Sequence, residues 1–159
     1  MFLGKIFNPK AIKLNLESDF KDEVFEELIE VLVSSEPSLN RNEILFALQE
    51  RERLMSTGIK KGVALPHCKI KGIQGVRGAI GVSQKGIEYN ALDLNPVHLV
   101  FMIVASSEDS LGYLQVLKQL ALILNERAFL QGILEQNTAV DVHELIKSYE
   151  KKMAEKKII

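Results

Sequence analysis

The sequence contains a single cysteine, Cys68, in 159 residues. One thiol cannot close an intramolecular disulfide, which fits a reducing compartment. Neither sign of charge is in excess. Twenty basic residues stand against 21 acidic ones, a formal net charge of -1. That balance excludes the basic footprint of a nucleic-acid binder and the acidic tail of a solvating segment. Long apolar runs are missing too: the longest, Leu99 to Ala105, is far too short to cross a bilayer. The opening stretch, MFLGKIFNPKAIKLNL, has neither a long apolar centre nor a small-residue cleavage site. No leader peptide and no direct membrane insertion are expected. Repeats and low-complexity linkers are absent. Only three histidines accompany the cysteine, and none of them falls in an H-x-x-x-H or C-x-x-C spacing. No metal site and no cofactor are expected.

What is present reads as an ordinary globular protein, 47% hydrophobic and 26% charged. The length allows one substantial core. The expectation is a cytoplasmic chain of one domain, 1–159, with its core over about 12–150 and a frayed basic tail at 151–159. Helical and extended patterns alternate. Phe20, Val24, Phe25, Leu28, Ile29, Leu32 and Val33 recur at helical spacing, with Ser18 or Asp19 available as the cap. A second helix is predicted from Asn40, with Glu43 placed for a capping box and Ile44, Leu45 and Leu48 as its apolar stripe. Three strands follow: Gly62 to Leu65, an alternating Val76 to Ser83, and a nearly continuous apolar Val97 to Ala105. Helices over Leu111 to Asn125 and Ala128 to Leu134 come next, then a last helix beginning at Thr138 with Asp141 as capping partner. The pattern is that of an α/β sandwich, and the short link from Gly72 to Val76 makes part of its sheet antiparallel.

The stretch KKGVALPHCKI carries the chemistry of interest. His67 follows a proline at the end of a short apolar run. A Cys/His nucleophilic pair with Cys68 is disfavoured, because neighbours in an extended chain point to opposite faces. His98 opens the central strand, where a structural or edge role is expected. His143 falls in the first turn of a helix, on a face expected to be solvated. For His67 to be a nucleophile, one ring nitrogen must be exposed and the other held by a hydrogen bond that fixes the tautomer. A nearby cation must receive an anionic group. Pro66 stiffens the backbone just before the histidine and tends to end ladder pairing. Arg51 lies seven residues beyond Ile44 and continues the inward stripe of its helix. It either points into a pocket or complements the helix C-terminus, and its position alone leaves both readings open.

RERLMSTGIKKGVALPHCKI resembles the signature of enzyme IIA domains of the bacterial phosphoenolpyruvate-dependent sugar phosphotransferase system. The branch is the fructose/mannitol type, type 2, which includes nitrogen-related regulatory paralogues. The matching residues are Arg51, Ser56, Thr57, Gly58, Gly62, Val63, Ala64, Leu65, Pro66 and His67. ALDLNPVHLVFMIVA and YLQVLKQLALIL are similar to the family's later strand and the helix after it. The resemblance implies a mixed sheet with helices on both faces. It implies a phosphoryl carrier whose His67 takes phosphate from the phosphocarrier protein HPr, or a paralogue, and passes it to an enzyme IIB cysteine. Arg51 would stabilise the added charge, with Thr57 and Tyr113 as secondary candidates. The alternative is a nitrogen-type regulator whose His67 phosphorylation controls binding to a target protein. Two departures stand out. Tyr113 occupies the place of a second histidine found in many sugar-specific members, and Cys68 stands where glycine is usual. A buried, inert thiol is expected there. SSEDS, before the helix of Tyr113, is expected to cap that helix rather than to bind anion.

Overall fold

The most apolar stretch of the chain forms the middle of the sheet. In the computed structural model, which describes residues 2–158 apart from the side chains of Lys60, Lys157 and Ile158, Val97–Ser106 is a strand buried along its length except at His98. In chain order the helices are α1 (Leu3–Ile6), α2 (Lys21–Ser35), α3 (Arg41–Leu54), α4 (Ser110–Leu124), α5 (Arg127–Glu135) and α6 (Ala139–Ile158). The strands are β1 (Ile12–Lys13), β2 (Gly58–Lys60), β3 (Val63–Ala64), β4 (His67–Ile70), β5 (Val76–Ile87) and β6 (Val97–Ser106). They make one mixed sheet, ordered β1-β5-β6-β3-β2, with β4 also on β6.

On one side of β6, β5 runs antiparallel. On the other, β3 and β4 both run parallel to it. Their register is continuous: Val63 faces Leu99, Ala64 faces Val100, and His67 faces Ile103. They are one strand interrupted at Leu65 and Pro66. Pro66 has no N–H to give, yet its carbonyl accepts from Ile103 N at 2.9 Å, so the line along β6 survives. The expectation that pairing stops at Pro66 is therefore corrected: the proline breaks the strand and β4 resumes at His67. The link between β2 and β3 is tight because Gly62 adopts φ +75°, which a side chain would resist.

Each face of the sheet is covered by its own helices. Val24, Phe25, Leu28 and Ile29 of α2, with Ile44 and Leu48 of α3, pack against Ala79, Val100, Met102 and Val104. Val116, Leu120 and Ile123 of α4, Phe129 and Ile133 of α5, and Val142 and Ile146 of α6 cover Ile80, Val82, Leu99, Phe101 and Ile103. The strand alternation read from the sequence sorts the two sets. This is the expected α/β sandwich with a mixed sheet.

Several local expectations change. The core reaches back beyond residue 12, because Leu3, Ile6 and Phe7 are buried. Phe7 lies against Gly78, where a Cβ would come within 2.7 Å of its ring Cδ1. The helix predicted from Ser18 starts at Lys21 with Phe20 as N-cap, which makes no side-chain cap bond. Ser18 instead donates to Glu27 at 2.5 Å. β5 runs four residues past Ser83, to Ile87. His143 is half-buried rather than solvated, and its Nε2–H donates to the Gly4 carbonyl at 2.7 Å. The basic tail is helical to Ile158, and residue 159 lies outside the described residues. The capping of α3 by Asn40 and of α6 by Thr138 is as expected.

Candidate functional site

His67 is the first residue of β4, beside the Leu65–Pro66 interruption. Its ring folds back on its own chain, and Nδ1 lies 2.6 Å from the Leu65 carbonyl oxygen. A carbonyl can only accept, so Nδ1 carries the proton. In the neutral ring Nε2 then has the lone pair, and it has no hydrogen-bond partner among the described residues. Half-buried, His67 has its pKa lowered from 6.5 mainly by burial. The Leu65 bond opposes that effect, Arg51 adds to it, and Glu52 opposes it in turn. The neutral imidazole is the favoured form near neutral pH, and it is the nucleophilic one.

Arg51 lies in the last turn of α3. One Nη1–H donates to the Met55 carbonyl at 3.0 Å, which satisfies part of the helix end. Its positive charge also acts on His67 and on Tyr113. Of the two readings left open by sequence position, the cation that complements the helix C-terminus is the one seen as a hydrogen bond. One N–H closes the helix, and the charge of the guanidinium reaches His67 and Tyr113 through space.

Tyr113, in the first turn of α4, places its ring 5.8 Å from that of His67 at an interplanar angle of 55°. Burial, aided by Cys68 and opposed by Arg51, pushes the phenol up to about 12, so it remains a neutral donor. Lys69 was not anticipated. It is two residues beyond His67 on β4, and strand alternation puts it on the same face. Its Nζ lies 4.9 Å from the Tyr113 ring centroid and 3.3 Å from Ser110 Oγ. The period-two pattern of HCKI was the signal that could have found it.

Cys68 points to the opposite face, among α2 and α3 side chains. Burial, with a smaller contribution from Glu43, raises its thiol to about 12. SSEDS does cap α4: Asp109 accepts from Gly112 N at 2.9 Å. Thr57 is buried and its hydroxyl is committed elsewhere, donating to Glu52 at 2.6 Å beside the Tyr89 hydroxyl at 2.7 Å. His67 and Tyr113 thus stand ring to ring, the Arg51 charge acts on both, and Thr57 is bonded instead to Glu52 and Tyr89. Exposed apolar side chains lie on the elements that carry these residues: Leu54 and Met55 at the end of α3, Ile59 on β2, and Leu111 and Leu114 either side of Tyr113 in the chain on α4.

A family model described as "Phosphoenolpyruvate-dependent sugar phosphotransferase system, EIIA 2" matches residues 5–149. The chain is 32% identical over 151 residues to the "PTS system fructose-specific EIIABC component" of Bacillus subtilis (strain 168), covering 95% of this chain and 24% of that protein. It therefore spans about a quarter of that relative's length. It is 26% identical over 144 residues to a "Nitrogen regulatory protein" of Pseudomonas aeruginosa, covering 91% of this chain and 94% of the relative. Among solved structures, nitrogen regulatory protein IIA-Ntr of Neisseria meningitidis superposes with a TM-score of 0.84 at 28% identity, covering 92% of this chain and 99% of that one.

Proposed function

The chain belongs to the EIIA type 2 family of the phosphoenolpyruvate-dependent sugar phosphotransferase system, and from that premise we propose that its phosphoryl carrier residue is His67. The observation that carries this reading is the 2.6 Å bond from Nδ1–H to the Leu65 carbonyl, which leaves Nε2 as the reacting atom. The donor is HPr or a paralogous phosphocarrier protein. The Nε2 lone pair attacks phosphorus as the donor's own P–N bond breaks, and the bonding electrons return to the donor nitrogen. The ring gains positive charge in the adduct, and the Leu65 carbonyl, already bonded to Nδ1–H, holds that charge in place. Arg51 faces the added phosphoryl oxygens. Most of the catalysis is positioning and charge stabilisation, as phosphoryl transfer generally requires. Onward transfer to an enzyme IIB cysteine reverses the logic: the thiolate attacks, the N–P bond breaks, and the pair returns to Nε2.

Partner proteins dock on the exposed apolar side chains of the elements that carry the site, Leu54, Met55, Ile59, Leu111 and Leu114. Residues 1–159 act as one domain in the cytoplasm. Among the described residues no helix is long and apolar enough to cross a membrane.

One observation favours a second use of the same site. Tyr113 supplies a neutral hydroxyl where an imidazolium would help push phosphate onward. A carrier that keeps its phosphate suits a nitrogen-type regulator, whose partner binding follows the charge on His67. The relatives named nitrogen regulatory proteins are of this chain's length. The test is phosphorylation by phosphoenolpyruvate, enzyme I and HPr. Wild type takes up label at His67 and His67→Ala does not. Equal labelling of the two proteins rejects the proposal. Label that passes rapidly to a sugar-specific IIB supports transport, and label that stays on His67 supports regulation.

A further inference from the structure

Behind the histidine lies a buried carboxylate that the transfer chemistry does not use. The Glu52 side chain is 7% exposed and takes three donors: Lys21 Nζ at 3.0 Å, Thr57 N at 2.9 Å and Thr57 Oγ1 at 2.6 Å. Because the single Thr57 hydroxyl proton goes to Glu52, the Tyr89 hydroxyl donates to Thr57 Oγ1 across 2.7 Å. Burial and the Glu52 charge keep the Tyr89 phenol well above its usual range, so that proton stays available. Lys21 also lies 4.9 Å over the Tyr89 ring. The network is closed and directional: Tyr89 to Thr57 to Glu52, with Lys21 balancing the charge.

The network holds something specific. Thr57 is fixed at its N–H and its hydroxyl, and its carbonyl accepts from Leu65 N at 2.9 Å. Leu65 precedes the proline that interrupts the strand, so β6 pairing does not pin it. The bond to Thr57 carries the β2–β3 pairing one step beyond Gly58 and Ala64. The Leu65 carbonyl is the acceptor for His67 Nδ1–H. Four residues thus connect a buried charge to the tautomer of the reacting ring. Burying a carboxylate costs several kcal/mol before its partners offset it, and an amide or apolar side chain would hold a loop at less cost. A fixed anion makes sense where a short bond must be held in one geometry.

We propose that Glu52 is a positioning residue for phosphoryl transfer, acting through Thr57 and Leu65 to hold His67 with Nε2 as the nucleophile. The inference rests on His67 being the acceptor, but it has a readout of its own. In unphosphorylated wild type, nitrogen-15 NMR of labelled His67 shows the Nδ1–H tautomer predominating. Glu52→Ala and Thr57→Val raise the Nε2–H tautomer to a comparable share. They slow phosphoryl uptake from phospho-HPr about tenfold, the equivalent of one net hydrogen bond. Thr57→Ser, which keeps the hydroxyl, restores both. A purely structural role would lower the melting temperature and leave the tautomer of the folded fraction unchanged. Should Glu52→Ala fail to fold, Thr57→Val, close to isosteric, decides. An Nδ1–H tautomer that persists in the folded variants overturns the inference, as does Thr57→Ser behaving like Thr57→Val. Absence of label on wild-type His67 would reject the carrier reading separately, since the tautomer is measured without phosphate.

Discussion

Replacing Arg51 by alanine removes the cation that faces His67 while leaving the core intact. The side chain is half-buried and makes one hydrogen bond, to the Met55 carbonyl at 3.0 Å. Losing that bond uncovers a carbonyl that water can reach, so the fold loses little. The phosphoryl group loses more. Two unit charges about 4 Å apart attract by roughly 4 kcal/mol where the effective dielectric constant is about 20. Water competes at a half-open site, and charge-assisted hydrogen bonds measured by mutation contribute about 1.5–3 kcal/mol. The expected loss in the initial rate of phosphoryl uptake is therefore about 10- to 150-fold. Arg51→Lys keeps the charge but not the planar fork, and falls between alanine and wild type. The assay is incorporation of radiolabelled phosphate from phosphoenolpyruvate at limiting phospho-HPr, with circular dichroism as the control for folding. An alanine variant that is folded and within about twofold of wild type refutes the reasoning.

The remaining predictions concern titration and access. With its pKa lowered by burial, His67 keeps its nucleophilic form further into acid than a free imidazole does, so uptake falls off at a lower pH than an unperturbed histidine dictates. The unfolded chain takes up this proton first, so the group's contribution to stability declines as pH drops beneath 6.5; an NMR titration midpoint above that value contradicts the account. Glu27 is pushed toward protonation by burial. Bonds from Lys13, from the Ser18 hydroxyl and from the amides of Glu17 and Ser18 overcome that and hold its carboxyl at about 2, against 4.5 when unperturbed. Its stabilisation is complete above 4.5 and lost as pH falls toward 2. Glu27→Gln costs on the order of 2 kcal/mol at neutral pH in urea unfolding, and an unchanged midpoint counts against the bonds. Cys68, 4% exposed and raised to about 12, resists iodoacetamide in the native protein and reacts on unfolding. Native labelling at the rate of a free thiol disproves its burial.

The periodic elements were readable because their burial is one-sided: the stripes of α2 and α3 and the run of β6 follow directly from the 3.6 and 2.0 spacings. The sequence also revealed the strand before Pro66 but not the one after it. HCKI alternates for only four residues, and a proline ahead of it is an ordinary stop signal. What restores the strand is distant, namely pairing with β6. The N-terminal α1 and β1 were invisible for the same reason, since residues 3–13 gain their structure from β5 and α6 rather than from any local pattern. At the site, His67 and Arg51 could be named from spacing and resemblance. Lys69 was within reach of the HCKI alternation but was not anticipated, whereas Glu52 was not legible, because its placement depends on where the loop at Thr57 comes to rest.

The two extremities of the described chain are laced together. Glu150 accepts from the amides of Phe2, Leu3 and Gly4 at 3.0, 2.8 and 2.9 Å, and His143 donates to Gly4. Phe2 also lies beside Gln115, Lys118 and Gln119 of α4, and Lys156 pairs with Glu126 at 3.9 Å, so both extremities run along the layer of α4, α5 and α6. A domain fused at either end would therefore hang from that helical layer, on one face of the sheet.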